Sequence, residues 1–202
     1  KPVQRRHFSP LMPGVAHVPY PYCYRCPFKL EQPDCNYWCA DFIEEQVLQK
    51  YMPPEDVAAI LFEPIQGEGG YVVPPPEFFQ RIKKLADKYG LLLIDDEVQS
   101  GIGRTGKWFA IEHWNIEPDI ICSSKALASG LPIGATIAKA KIMDWTGGSH
   151  ASTFGGSPDH REGLLQDGYV LVLRLLTQLR QLPVAFLFRT YKSVVAAFFA
   201  FA

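Results

Sequence analysis

Neither sign of charge dominates this chain: 20 lysines and arginines stand against 21 aspartates and glutamates, for a formal net charge of -1. That balance removes the broad positive field on which nucleic-acid and anionic-membrane binding rests. We therefore expect no nucleic acid and no membrane as partner, and a small-molecule site becomes the default. Apolar runs of membrane-spanning length are also missing, because the stretches near the end are broken by Arg174, Arg180, Pro183, Arg189 and Lys192. The opening shows no basic n-region followed by an apolar h-region, so a cytoplasmic location is expected. It also shows no initiating methionine, which points to a piece of a longer protein. No internal repeat is present. The chain does hold 48% hydrophobic residues among 202, enough for a substantial core.

Four of the five cysteines crowd into "CYRCPFKLEQPDCNYWC", as Cys23, Cys26, Cys35 and Cys39, spaced C-x2-C-x8-C-x3-C. The first pair fits a metal knuckle, and structural zinc on these four is one reading. Disulfides or plain thiols in an irregular surface segment are the others.

Along the chain, residues 1–40 form an extended or loop segment rich in Pro, Tyr and His and carrying the cysteines. Order begins at "DFIEEQVLQKY". There Phe42, Ile43, Val47, Leu48 and Tyr51 share a helical face, with Asp41 as N-cap and Glu44 in capping-box position. "VAAILFEPI", Val57 to Ile65, is a continuous apolar run that predicts a strand buried on both faces. "PPPEFFQRIKKLADKYG" predicts a helix that buries Phe78, Phe79, Ile82, Leu85 and Tyr89 and stops at Gly90. The strand "LLLIDDEV", a short helix "KWFAIEHW", the strand "DIICSSKA" and a further strand in "GATIAKAKI" come next. This alternation predicts an α/β domain with a mostly parallel, doubly wound sheet in a three-layer α/β/α arrangement. Residues 41–158 form its core, and residues 159–202 are an apolar tail whose last nine residues carry no charge. Ligands in such sheets gather at the carboxyl ends of the strands.

"GIGRTG" spells the G-x-G-x-x-G of a dinucleotide turn, but Asp95, Asp96 and Glu97 lie between the strand and Gly101. Negative charge then occupies the place where incoming phosphates need positive potential. Glu117, 16 residues on, stands near the acidic position of that fingerprint, as acids often do by chance. Gly101, Gly103 and Gly106 read as turn formers.

Lys125 ends an apolar strand amid Ser, Ala and Gly, and lysines seldom occupy such places without a partner or a purpose. Paired with the acid that ends the neighbouring strand, it offers what pyridoxal 5'-phosphate needs: an amine for a Schiff base and a carboxylate to keep the ring nitrogen protonated. A lysine that simply reaches the surface is the bland alternative.

"LFEPIQGEGGYVVPPPEFF", "LLLIDDEVQSGIGRTGKWFAIEHWNIEPDI", "SSKALASGLPIGA" and "STFGGSP" closely resemble the class III aminotransferases, over roughly residues 1–158. The resemblance implies the large domain of the pyridoxal-phosphate fold type I, with Lys125 and Asp96 catalytic. Lys125 would bind the cofactor aldehyde and Asp96 its ring nitrogen. Val98 would pack on the ring, Gln99 would hydrogen-bond its hydroxyl, and Thr153 would donate to its phosphate across a dimer interface. Glu68 would gate the substrate, and Asp95, on the other face of the strand, would be structural. An amino acid or ω-amine donor, a 2-oxo acid acceptor and a homodimer or higher homo-oligomer are implied by the same resemblance. An amino-acid racemase on the same scaffold, and a truncated non-catalytic relative, are the competing readings.

Overall fold

The computed structural model describes residues 2–128, 133–144, 146 and 194–199. After a short α1, Pro2–Arg5, the chain runs without strands to α2, Trp38–Phe42. It is held to the sheet by Tyr20, whose hydroxyl donates to the carbonyls of Glu63 and Pro64 at 2.9 and 3.0 Å.

The helix expected to be capped by Asp41 begins earlier. Its cap is Tyr37, in the left-handed region at φ 58°, with no side-chain cap. Backbone turns supply the start instead: Trp38 N–H bonds the Cys35 carbonyl at 2.9 Å, and Ala40 N–H bonds that of Tyr37 at 2.8 Å. Asp41, now inside the helix, pairs with Arg81 at 3.4 Å. Glu44 takes Lys88 and, at 2.7 Å, the Tyr89 hydroxyl. From Ile43 to Leu48 the winding widens to π, so Ile43 and Leu48, five apart, are the buried pair. Each wide turn rotates the later residues off the expected face, and Tyr51 ends up 76% exposed.

Among the described residues the sheet has five strands in chain order: β1 Ala59–Phe62, β2 Leu92–Asp96, β3 Ile120–Ser123, β4 Gly134–Lys139 and β5 Val194–Phe199. β1, β2 and β3 pair in parallel, from Ala59 opposite Leu92 to Asp96 opposite Cys122. β4 is antiparallel to both β3 and β5, so β4 alone runs against the others. β5 comes from the apolar tail, for which the sequence pattern predicts no strand.

α3, Phe78–Tyr89, crosses between β1 and β2 as expected and stops at Gly90, φ 70°. It buries Phe78, Phe79, Ile82, Leu85 and Ala86 against Phe62 and Leu93 of the sheet, Leu91 just before β2, and Ile111 and Trp114. Phe79 is the centre of this cluster, its ring 4.7 Å from Phe62, 5.2 Å from Phe78 and 5.1 Å from Trp114. Phe79→Ala should therefore cost about 3–5 kcal/mol of stability, read as a lower urea midpoint, since three neighbouring rings cannot all collapse into the void.

One expectation for β1 fails. The strand is not buried on both faces: Phe62 meets the helices, but Leu61 on the opposite face is 65% exposed. β1 is the edge strand, and nothing among the described residues covers that side. No described helix is long and apolar enough to cross a membrane.

Candidate active site

The parallel strands bring their carboxyl ends to one edge of the sheet, and the chemistry of the sequence gathers there. Along β2 the side chains alternate: Leu91, Leu93, Asp95 and Glu97 are buried toward the helices, while Leu92, Ile94 and Asp96 are half-buried on the other side. Asp95 and Asp96 thus face opposite ways, as the period of a strand requires. Asp96 closes the strand by turning its Oδ1 back to accept the Val98 N–H at 3.1 Å. Val98 and Gln99 consequently sit on a turn, and strand alternation no longer sets the direction of Val98.

Glu97 was missed as a site former, though the alternation that buries Asp95 also buries it. Its Oε1 accepts the Ile111 N–H at 2.9 Å and its Oε2 accepts the Ser100 hydroxyl at 2.5 Å. It therefore ties the end of β2 to the 3-10 turn Ala110–Trp114. Gly101 packs on this tie. A Cβ there would lie 2.7 Å from the Glu97 carbonyl oxygen, and the Gly101 N–H already bonds that oxygen at 2.9 Å. Three further loop donors are used within the segment: Gly103 N–H by Trp108, Arg104 N–H by Gly101 and Gly106 N–H by Gly103. With the N–H groups of all three glycines turned inward, the glycines serve as turn formers and do not offer a pyrophosphate their donors.

Across from this turn, the "QGEGG" segment forms a small hairpin through a bridge between Gln66 and Val72. Gly67 is there for contact, since a Cβ would lie 2.4 Å from the Gln99 side chain, and Glu63 Oε2 accepts its N–H at 2.8 Å. The absence of a side chain at Gly67 is what leaves Gln99 its place. Glu68 lies exposed in the hairpin.

β3 ends at Ser123, and Lys125 opens a 3-10 turn, Lys125–Ala128. The Ser124 hydroxyl anchors that turn by donating to the Ile133 carbonyl at 2.7 Å. Lys125 itself has φ 46°, in the left-handed region, which for a side-chain-bearing residue costs on the order of 1–3 kcal/mol. It is exposed, because the strand stops two residues before it. The amine therefore stands over the carboxyl edge and not inside the sheet. Thr153 lies outside the described residues.

The four clustered cysteines are free thiols lining one cavity of about 20 Å³, with Phe28, Trp38 and Pro75 among its walls. Burial, then the neighbouring Cys23 and Cys35, pushes the Cys39 thiol up to about 11. Among the described residues no three His, Cys, Asp or Glu side chains are gathered so as to hold a metal ion.

A family model for aminotransferase class-III matches residues 1–161. The leucine/methionine racemase of Thermococcus litoralis is 49% identical over 145 residues, covering 71% of this chain and 32% of that protein. The acetylornithine aminotransferase of Methanopyrus kandleri is 43% identical over 159 residues, covering 78% of this chain and 35% of that one. Among solved structures, an amine transaminase from an uncultivated Pseudomonas species, in its PLP-bound internal aldimine form, superposes with a TM-score of 0.74 at 31% identity. That likeness covers 82% of this chain and 39% of the other. The chain spans about a third of the length of the curated relatives it matches. The sheet is that of the pyridoxal-phosphate fold type I transaminases, and the chain belongs to the class-III aminotransferase family.

Proposed function

We propose that this chain is the lysine-bearing part of a pyridoxal 5'-phosphate-dependent aminotransferase, which moves an amino group from an amino acid or ω-amine to a 2-oxo acid. The observation that carries the reading is the placing of Asp96 at the carboxyl end of β2 and of Lys125 just beyond that of the adjacent parallel strand β3. The residues present fit the cofactor: a half-buried carboxylate, an exposed amine and an amide, Gln99, held beside a glycine that leaves room for it. Bound pyridoxal phosphate supplies an electron sink for a substrate carbanion.

The chain's own residues do the rest. Lys125 Nζ would hold the cofactor aldehyde and would carry the proton taken from the substrate α-carbon. Asp96, whose Oδ1 is fixed by Val98 N–H, would keep the ring nitrogen protonated through its carboxylate. Val98 would pack on the ring, Gln99 would bond its hydroxyl, Thr153 would donate to its phosphate, and Glu68 would gate the substrate. The left-handed backbone at Lys125 supports this assignment, since strained residues concentrate at working sites. A cytoplasmic homodimer completes the reading.

Racemisation is the second reading, favoured by the 49% identity to the leucine/methionine racemase. It would use the same lysine and acid but return the proton to the opposite face of the same carbon. Cofactor-loaded protein given one L-amino acid and no oxo acid should yield no D-enantiomer, and amino transfer should start when a 2-oxo acid is added. Chiral chromatography showing D-amino acid without an acceptor would establish the racemase instead. A protein with neither activity and no visible cofactor band would be the non-catalytic relative.

A further inference from the structure

Asp95 is fully buried, at 0% exposure, and no N–H or O–H among the described residues donates to either of its oxygens. The next residue on its buried face is another carboxyl. Glu97 lies two residues on, on the same face of β2, at 1% exposure. Two carboxylates buried two residues apart on one face repel, and each alone would cost several kcal/mol to keep charged there. One of them must hold a proton.

The donors decide which. Glu97 receives two, the Ile111 N–H and the Ser100 hydroxyl, and both stabilise its charged form. Asp95 receives none. We propose that Asp95 and Glu97 share one proton, with Asp95 a carboxylic acid that donates its O–H to the Glu97 carboxylate, and that this pair positions Asp96.

Its consequence runs through the backbone. Glu97 holds the turn at residues 97–100 against the segment at Ile111, and the same turn carries the Val98 N–H that orients Asp96. Ionising Asp95 would set like charges against each other at that tie and loosen it. The three consecutive acids then carry one shared inward charge and leave the outward carboxylate, Asp96, to the ligand face. Asp95 is a positioning residue, and only the meaning of Asp96 rests on the function proposed above.

Among the described residues, the titratable groups facing the pair are Asp96 on β2, Cys122 on β3 and Tyr20 beside the end of β1. None of them is a cation. Burial, then Glu97, holds Asp95 well above the usual carboxylate range. The folded chain therefore keeps a proton that the unfolded chain releases, and stability falls as pH rises from the ordinary carboxylate range toward that raised value.

Infrared spectroscopy of the cofactor-free 202-residue chain tests the pair directly. At about pH 7, where ordinary carboxyls are ionised, the wild type should show a protonated carboxylic acid band that Asp95→Asn removes. Urea unfolding should show the folded-to-unfolded ratio dropping by up to roughly tenfold per pH unit between about pH 5 and about pH 8. Asp95→Asn should flatten that slope, because its amide donates to Glu97 at every pH. Asp95→Leu, which fills the space but cannot donate, should lose stability that Asn keeps. A wild type without the acid band, a band that survives in Asp95→Asn, or an equal pH slope in both proteins overturns the proposal. A chain that passes these tests and yet never takes up cofactor would sink the proposed function and leave the pair standing.

Discussion

Lys125→Ala is expected to remove covalent cofactor attachment entirely. Wild-type protein incubated with pyridoxal phosphate should develop a visible absorbance band, and borohydride should trap one adduct per chain on the peptide bearing Lys125. The alanine variant should show neither. The reason is positional. Lys139 is held by Asp119 at 2.8 Å, and Lys83 and Lys88 are engaged by Asp87 and Glu44 on the helical side of the sheet. Lys125 instead opens the turn beyond β3, on the carboxyl edge where Asp96 also ends its strand. Alanine keeps a Cβ, so the backbone at φ 46° is asked for nothing new and the loss is that of the amine. An adduct that persists in the variant and maps to another lysine would show that the site has been placed wrongly.

Asp96→Asn should leave cofactor attachment intact while lowering turnover of the cofactor-loaded protein roughly 100- to 1000-fold, the scale on which one preorganised charge or donor contributes to catalysis. Asparagine still offers an oxygen to the Val98 N–H, so the turn at the end of β2 survives. What disappears is the negative charge that, on the proposed reading, would keep the ring nitrogen protonated, and without it the ring would be a poorer electron sink. The same exchange at Asp95 should cost far less, because that carboxyl faces the helices and not the ligand side. Equal losses at both positions, measured as kcat with cofactor saturating, would mean that the acid assigned to the ring is not the one that serves it.

Some of this architecture is legible residue by residue. α3 could be read almost to its ends because the apolar period, the prolines before it and Gly90 after it all agree, and local agreement of this kind survives any tertiary context. α2 could not. Asp41 and Glu44 form a plausible capping box on paper, but the Cys35 to Tyr37 turns had already supplied the start, and both acids were drawn to Arg81, Lys88 and Tyr89 of α3. A capping contribution of about 1 kcal/mol is easily outweighed by partners that the sequence does not reveal as neighbours. β1 misled for a related reason. An apolar run says that a segment avoids water, not which of its faces a neighbour will cover, and Leu61 is left exposed by the position of β1 at the sheet edge.

The candidate site divides the same way. The opposite orientation of Asp95 and Asp96 and the turn-forming role of the glycines come from the two-residue period of a strand and from backbone freedom, both local properties that composition and order already determine. Only the tertiary structure could decide that Glu97 reaches Ile111, that Gly67 lies against Gln99, that the apolar tail enters the sheet as β5, and that Lys125 stands exposed in a left-handed turn. Those facts depend on which segments meet in space, and the free energy of such meetings is spread over many distant residues, none of which names its partner in the chain.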